Sequence, residues 1–427
     1  MVGTLFGSFL ILLVFGVPIA VAIGLGAMVP MLMQGNVPLT LVISRMFGGI
    51  DSFPLMAIPF FVLTGTLATS CSLTDKVVGL AAYLVGQMRA GLAHCNIVAA
   101  MLFGGITGSA VAESAALGSI LIPGMTSKKY PPSYAAAITS TASVIGSIIP
   151  PSTLMIIYGY LTGVSTGRLF LGGAIPGLLV GLGLMLTAHI QAVRLGIGVD
   201  PDLEKRSLAG FTRVFRECGP ALLIPLIILG GIVGGVFTPT EAGVVAVVVV
   251  LLLGQLVYGG FGLRSLRRAF LEAGYTTAMV FLILGASTVF ANMLTRARFQ
   301  STLISLLESV SGVPEIQMML ILLSLICLGL FIDATAVLIM FAAPLAAVCA
   351  GIGYDPVHSG VAIVIACLIG GVTPPVGTLL FIAAGIARIS ITEASKGVLP
   401  FVLMLMLINV VIALIPALVL FLPNLLF

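Results

Sequence analysis

Polar positions are sparse along this chain, and apolar runs of about 20 residues, the length a helix needs to cross bilayer hydrocarbon, recur from end to end. Read in order, the pattern predicts a first long span over residues 3–30 with a bend site at Gly16-Val17-Pro18. Residues 35–51, carrying Pro38 and Arg45, read as an interfacial connection to a span over residues 53–70. The next stretch, 73–90, holds Asp75, Lys76 and Arg89; it is too polar to cross and is expected to lie along the interface. From His94 to Met125 the chain is apolar again, but Gly104-Gly105-Ile106-Thr107-Gly108-Ser109 divides it and Pro123-Gly124 closes it. That pattern predicts two half-helices meeting at a tip, a re-entrant hairpin over about 93–127, which is allowed only where protein or a water-filled cavity covers the tip backbone. After Lys128 and Lys129 come a broken span over about 134–160 and a continuous one over 171–193.

The most polar segment, 194–217, sets Arg194, Lys205, Arg206, Arg213 and Arg216 against Asp200, Asp202, Glu204 and Glu217, and reads as a linker between two halves. Beyond it the pattern predicts spans over 220–236 and 242–258, joined by the turn Thr238-Pro239-Thr240-Glu241, where Glu241 is a helix-start residue favoured by the dipole. Arg264, Arg267 and Arg268 fall on a short amphipathic piece, followed by a span over 275–294 and an interfacial segment over 296–312 with Arg296, Arg298 and Glu308. A second hairpin over about 315–348, a broken span over about 356–386 and a last span over 398–421 complete the chain.

The two halves carry the same signature. Ile145-Gly146-Ser147-Ile148-Ile149-Pro150-Pro151 and Ile369-Gly370-Gly371-Val372-Thr373-Pro374-Pro375 agree at four of seven positions, 224 residues apart. The same offset, without gaps, pairs Ala110 with Ala334, Tyr130 with Tyr354, Pro132 with Pro356 and Pro176 with Pro400. Proline lacks a donor and clashes with the preceding turn, so each double proline breaks its span within the membrane. Paired broken helices in corresponding halves mark the binding site of secondary transporters. The expected fold is therefore an all-α polytopic membrane protein. A first repeat spans 1–193, a linker 194–217 and a second repeat 218–427.

Composition agrees and charge adds orientation. With 60% hydrophobic and 7% charged residues a soluble fold is excluded, and a net charge of +4 spread over loops gives no case for nucleic-acid binding. Lys128 and Lys129, five basic residues of the linker, and Arg264, Arg267 and Arg268 place ten of the eighteen Lys and Arg on one face, which is then cytoplasmic. On that count an odd number of crossings separates the hairpins, so the repeats are inverted and both tips approach the midplane. The first apolar run is too long for a cleavable signal and is read as a retained span. Six scattered cysteines and three histidines near span ends show no metal spacing and read as structural.

Candidate chemistry collects at the tips and breaks. Unwound carbonyls with hydroxyl or carboxylate oxygens suit a hard cation, and two clusters offer them: Thr107, Gly108, Ser109 and Ser152, and Asp333, Thr335, Thr373 and Gly377. Half-helix N-termini beyond the breaks are positive dipole ends suited to a substrate carboxylate, with Ser109, Glu113, Ser152, Thr153, Asp333 and Thr378 as candidate contacts. An unpaired carboxylate within an apolar span costs about 2.5 kcal/mol or more, so Asp333 reads as functional; Glu113 has the same standing unless a shallow tip lets it pair with a loop lysine.

These residues also carry a family resemblance. Gly108-Ser109-Ala110-Val111-Ala112-Glu113-Ser114, Ile149-Pro150-Pro151-Ser152, Phe237-Thr238-Pro239-Thr240-Glu241-Ala242-Gly243 and Thr373-Pro374-Pro375-Val376-Gly377 together resemble the large membrane subunit of tripartite ATP-independent periplasmic (TRAP) transporters, over nearly the whole chain. In that family the first tip commonly carries Asp where this chain has Glu113. The resemblance implies an elevator-type, sodium-driven importer of a small organic acid, such as a C4-dicarboxylate, sugar acid or sialic acid, in the bacterial inner membrane. It also implies two partners, a separate small membrane subunit and a periplasmic solute-binding protein, and makes sodium the cation of both clusters. A self-sufficient sodium-anion symporter is the alternative, sharing repeats and cation sites but needing no partner. An intramembrane hydrolase lacks its nucleophile-base pair or HExxH motif here, and a channel would need polar rings along several helices.

Overall fold

The computed structural model describes residues 1–34, 40–199 and 207–427, and among these the regular structure is entirely helical. Linker residues Asp200, Asp202, Glu204, Lys205 and Arg206, and Pro38 of the interfacial connection, lie outside the described residues.

The first apolar run does not form the single span expected over 3–30. It makes two short helices, α1 (Val2–Val14) and α2 (Ile19–Gln34), packed on each other. Gly16, at φ +76°, turns the chain, and Ser8 Oγ donates to the Gly26 carbonyl at 2.9 Å. A Cβ on Gly26 would stand 3.1 Å from the Phe9 Cα, so glycine permits this close approach. After α3 (Thr40–Gly48) a 3-10 turn, Phe53–Met56, leads into α4 (Ala57–Ser70), forming the span expected over 53–70. Helix α5 (Leu73–Val85), amphipathic with Asp75 and Lys76 in its first turn, follows and packs against the next element.

The stretch expected to form the first hairpin is two helices, α6 (Gly91–Thr107) and α7 (Ala110–Ser127), parted by Gly108 at φ +60°. The broken span is α8 (Pro132–Ala142), a 3-10 turn at Ile145–Ser147, and α9 (Thr153–Thr162). Next come α10 (Thr166–Arg194) and α11 (Leu208–Val233); the latter starts inside the stretch read as linker, because the Ser207 hydroxyl accepts from the Gly210 N–H and caps it. Helix α12 (Pro239–Leu256) opens on a capping box: the Glu241 carboxylate accepts from the Thr238 N–H at 2.8 Å, as expected of a helix-start residue.

Arg264–Arg268 and the span over 275–294 were expected to be separate. They form one 34-residue helix, α13 (Leu263–Arg296), since no proline interrupts them and a change from polar to apolar side chains does not break a helix. Then follow α14 (Phe299–Val310), α15 (Pro314–Gly329), α16 (Ala334–Gly351), α17 (Pro356–Gly370), α18 (Thr378–Ala387) and α19 (Ile391–Leu414). The last span expected over 398–421 instead begins with α19 and breaks at Pro416 before α20 (Ala417–Leu426). Seven of the described helices are long and apolar enough to cross a bilayer.

Elements recur at the 224-residue offset. Helix α16 reproduces both ends of α7, and α17 begins 224 residues after α8. Lys129 and Gly353, separated by the same offset, both have positive φ. Packing interchanges the copies: α7 lies on α18 as α16 lies on α9, and α6 lies on α8 as α15 lies on α17. Helices α4, α12 and α13 pack together beside this assembly, with α2 on α13.

Candidate functional site

Each hairpin tip meets its broken helix backbone to backbone. A Cβ on Gly104 would stand 2.5 Å from the Gly146 Cα, and one on Gly329 would stand 2.6 Å from the Gly370 Cα, so only glycine allows either contact. Hydrogen bonds fasten the same junctions: Thr153 N–H donates to the Gly108 carbonyl and Val376 N–H to the Leu330 carbonyl, each at 3.2 Å. The Ser147 hydroxyl, in the first break, accepts from the Ala110 N–H at 2.9 Å and so joins the break to the first turn of α7.

These junctions frame one cavity of about 540 Å³. Four half-helices turn their N-terminal residues toward it: Ser109 and Ala110 of α7, Thr153 of α9, Asp333 and Ala334 of α16, and Thr378 of α18. Ser109 caps α7 by accepting from the Ala112 N–H, and the Asp333 carboxylate caps α16 by accepting from the Thr335 N–H at 2.9 Å. N-terminal amides left unpaired by any helix are positive, so their convergence makes a site for an anion without a basic side chain. Thr107, Gly108 and Thr335 complete the tip wall. The opposite wall comes from Val62, Gly65 and Thr66 of α4 and from Glu272, Tyr275 and Thr276 of α13.

Of the candidates from sequence, Thr107, Gly108, Ser109, Thr153, Asp333, Thr335 and Thr378 thus share one cavity. Four others do not reach it. The Ser152 hydroxyl is buried, donates to the Ser147 carbonyl and accepts from the Met155 N–H, which makes it the cap of α9. Thr373 donates to the Ile369 carbonyl, and Gly377, the residue preceding α18, packs against the Thr373 carbonyl. Glu113, a candidate substrate contact unless it pairs with a loop lysine, does not line this cavity and pairs with no lysine among the described residues. It is fully buried under the tip with its carboxyl against Gly146, and neither oxygen has a hydrogen-bond partner. On α7 the cavity takes Val111, Ala112 and Ala115, so the helical rotation turns Glu113 away.

Sequence reasoning missed Thr66, Ser147, Glu272, Tyr275 and Thr276. Ser147 lies inside the double-proline motif and could have been included. The polar face of α13 was visible as composition, but nothing in the chain showed that it turns toward the tips. His358 is held structurally, with Nε2 at 2.8 Å from the Ile412 carbonyl, and the rings of His94 and His189 lie 6.0 Å apart. All six cysteines are free, and no group of three metal-ligating side chains occurs among the described residues.

The profile of the family described as the tripartite ATP-independent periplasmic transporter, DctM component, matches residues 6–418. A sialic acid TRAP transporter large permease protein of Vibrio cholerae is 36% identical over all of this chain and 99% of its own. An isethionate TRAP transporter permease protein of Oleidesulfovibrio alaskensis is also 36% identical, over 98% of this chain but only 65% of its own length. Among solved structures, the YdaH transporter of Alcanivorax borkumensis superposes with a TM-score of 0.60 at 16% identity, covering 88% of this chain and 86% of that one, a likeness of fold. Large permeases of this family work with a small membrane subunit and a periplasmic binding protein, and some relatives fuse the two membrane subunits. The match over nearly the whole chain, on a helical fold that crosses the bilayer many times, makes this chain a DctM component of the tripartite ATP-independent periplasmic transporters: a multi-pass inner-membrane transport protein and not an enzyme.

Proposed function

We propose that this chain carries a small organic anion into the cell, driven by sodium, as the large subunit of a binding-protein-dependent transporter. The observation that carries this reading is the convergence of four half-helix N-termini on one cavity with tip hydroxyls and carbonyls beside them. The dipole ends receive the carboxylate or other acid group, while Asp333, Thr335 and the backbone oxygens of Thr107, Gly108 and Ser109 supply hard ligands for the cation. Such ligands order the tip when sodium binds, and the ordered tip then presents its amides to the anion, so each ion raises the affinity for the other. Relatives named for sialic acid and for isethionate, a carboxylate and a sulfonate, support an acid as solute. We also assign the two repeats an inverted relation, with the tips meeting near the midplane, on the strength of the 224-residue offset and the interchange of contacts.

Family membership favours the partner-dependent reading over the self-sufficient symporter. The test is import into liposomes that hold this chain, with small subunit, solute-loaded binding protein and inward sodium gradient supplied or omitted in turn. Import only when all three are present is the expected result. Import by this chain alone would transfer the assignment to the symporter, and import indifferent to sodium would remove the cation assignment.

A further inference from the structure

A second cavity, of about 420 Å³, lies away from the transport site, between the C-terminal end of α13, the start of α14 and the middle of α16. Its two ends differ in chemistry. One end is polar, bounded by Thr295, Arg298, Gln300 and Ser301. The other is an apolar trough: Ala291 and Leu294 of α13, Phe299 and Ile304 of α14, and Ala343, Pro344 and Ala347 of α16. Ala291, Ala343 and Ala347 leave room between Leu294, Phe299 and Ile304 for a furrow that a larger side chain at an alanine position would narrow.

Arg298 is the centre of the polar end. The backbone there is left-handed, φ +52°, so the chain turns sharply out of α13, and Arg298 both lines the furrow and is exposed. Thr295 and Ser301 spend their hydroxyls on the Ala291 and Arg298 carbonyls, and Arg296 is held by Asn292, but the Arg298 side chain makes no ion pair or hydrogen bond among the described residues. An unpaired guanidinium above an apolar trough, at the end of a membrane-crossing helix, calls for an anion with a hydrocarbon tail. A guanidinium offers a planar fork of donors that matches two phosphate oxygens, whereas water alone would leave the trough wet and apolar surface exposed.

We propose that this furrow binds one phospholipid, with its phosphodiester on Arg298 and an acyl chain along Ala291, Ala343 and Ala347. Because α13, α14 and α16 all border it, the lipid joins a long spanning helix, an arm and one half of the second hairpin, and it changes how easily they separate. This site is independent of the cation and anion assignments at the tips.

The test is native mass spectrometry of the transporter taken into detergent from nanodiscs that contain phosphatidylglycerol. Wild-type protein is expected to keep one phospholipid. Arg298→Gln and Ala347→Leu should each reduce the retained fraction by about tenfold, the loss expected for one charge-assisted contact or for filling the trough. Arg298→Lys, which keeps the charge, should retain lipid better than Arg298→Gln, and Arg264→Gln at the far end of α13 should leave retention unchanged. A melting curve for each variant separates loss of lipid from loss of fold. Absence of retained lipid in the wild type, retention in Arg298→Gln or Ala347→Leu equal to that of the wild type, or displacement of the lipid by inorganic phosphate alone would each overturn the proposal.

Discussion

Asp333 is the residue in which charge and structure can be separated. Its carboxylate caps α16 by accepting from the Thr335 N–H at 2.9 Å, and Asn caps a helix about as well as Asp, so Asp333→Asn keeps the helix start and removes only the charge. In the liposome assay this variant should fold as the wild type does and should need about tenfold more sodium or greater for half-maximal uptake, the effect of losing about 1.4 kcal/mol of cation stabilisation. A sodium requirement equal to that of the wild type, with normal uptake, would take Asp333 out of the cation site. Asp333 was legible in the sequence because an acid inside an apolar run has few bland explanations. Glu113 satisfied the same rule, yet its carboxyl lies under the tip against Gly146. The rule identifies a residue that must be accommodated, and only the rotation of α7 decides on which side.

At the scale of elements, the glycine contacts between tip and broken helix are the most demanding feature. A methyl on Gly370 would meet the Gly329 Cα at 2.6 Å, and backbone cannot move aside as a side-chain end can. Gly370→Ala should therefore cost about 1–3 kcal/mol through overpacking and should impair both melting and transport. Gly79→Ala in α5, where a Cβ meets nothing within 4 Å, should be neutral or stabilise by up to about 1 kcal/mol. Equal melting temperatures for the two variants would show that the tip contact is soft. The hairpins and breaks were legible because glycine and double proline interrupt apolar runs in a manner that periodicity exposes. The hairpin α1–α2 was not, since a 28-residue apolar run fits one tilted span as well as two short helices; what decides is the Ser8–Gly26 bond and the Phe9 contact, both tertiary. Continuity of α13 was missed for the converse reason, a polarity change read as an end where no helix breaker stands.

For the whole molecule, the elevator motion implied by the family resemblance predicts that the tips and broken helices move as a body against α2, α4, α12 and α13, since the cavity has tip residues on one wall and α4 and α13 on the other. Two cysteine pairs, in a chain cleared of its six native cysteines, can test this. A Cβ on Gly65 of α4 would lie 3.4 Å from the Thr107 Cβ at the first tip, close to the separation a disulfide needs. Gly24→Cys with Ala286→Cys, where the corresponding distance is 3.7 Å, joins α2 to α13 within the group predicted to stay fixed. Oxidation should arrest import in the Gly65→Cys/Thr107→Cys protein, and reduction should restore it; the internal pair should cross-link without arrest. The first pair should also form its disulfide more slowly when sodium and solute are present, as the cavity walls part. Import that persists with the Gly65–Thr107 pair fully cross-linked would mean that α4 and the first tip never separate, and it would exclude an elevator while leaving the cavity as the binding site. Arrest by the α2–α13 pair as well would instead place the moving boundary inside the group here taken as stationary.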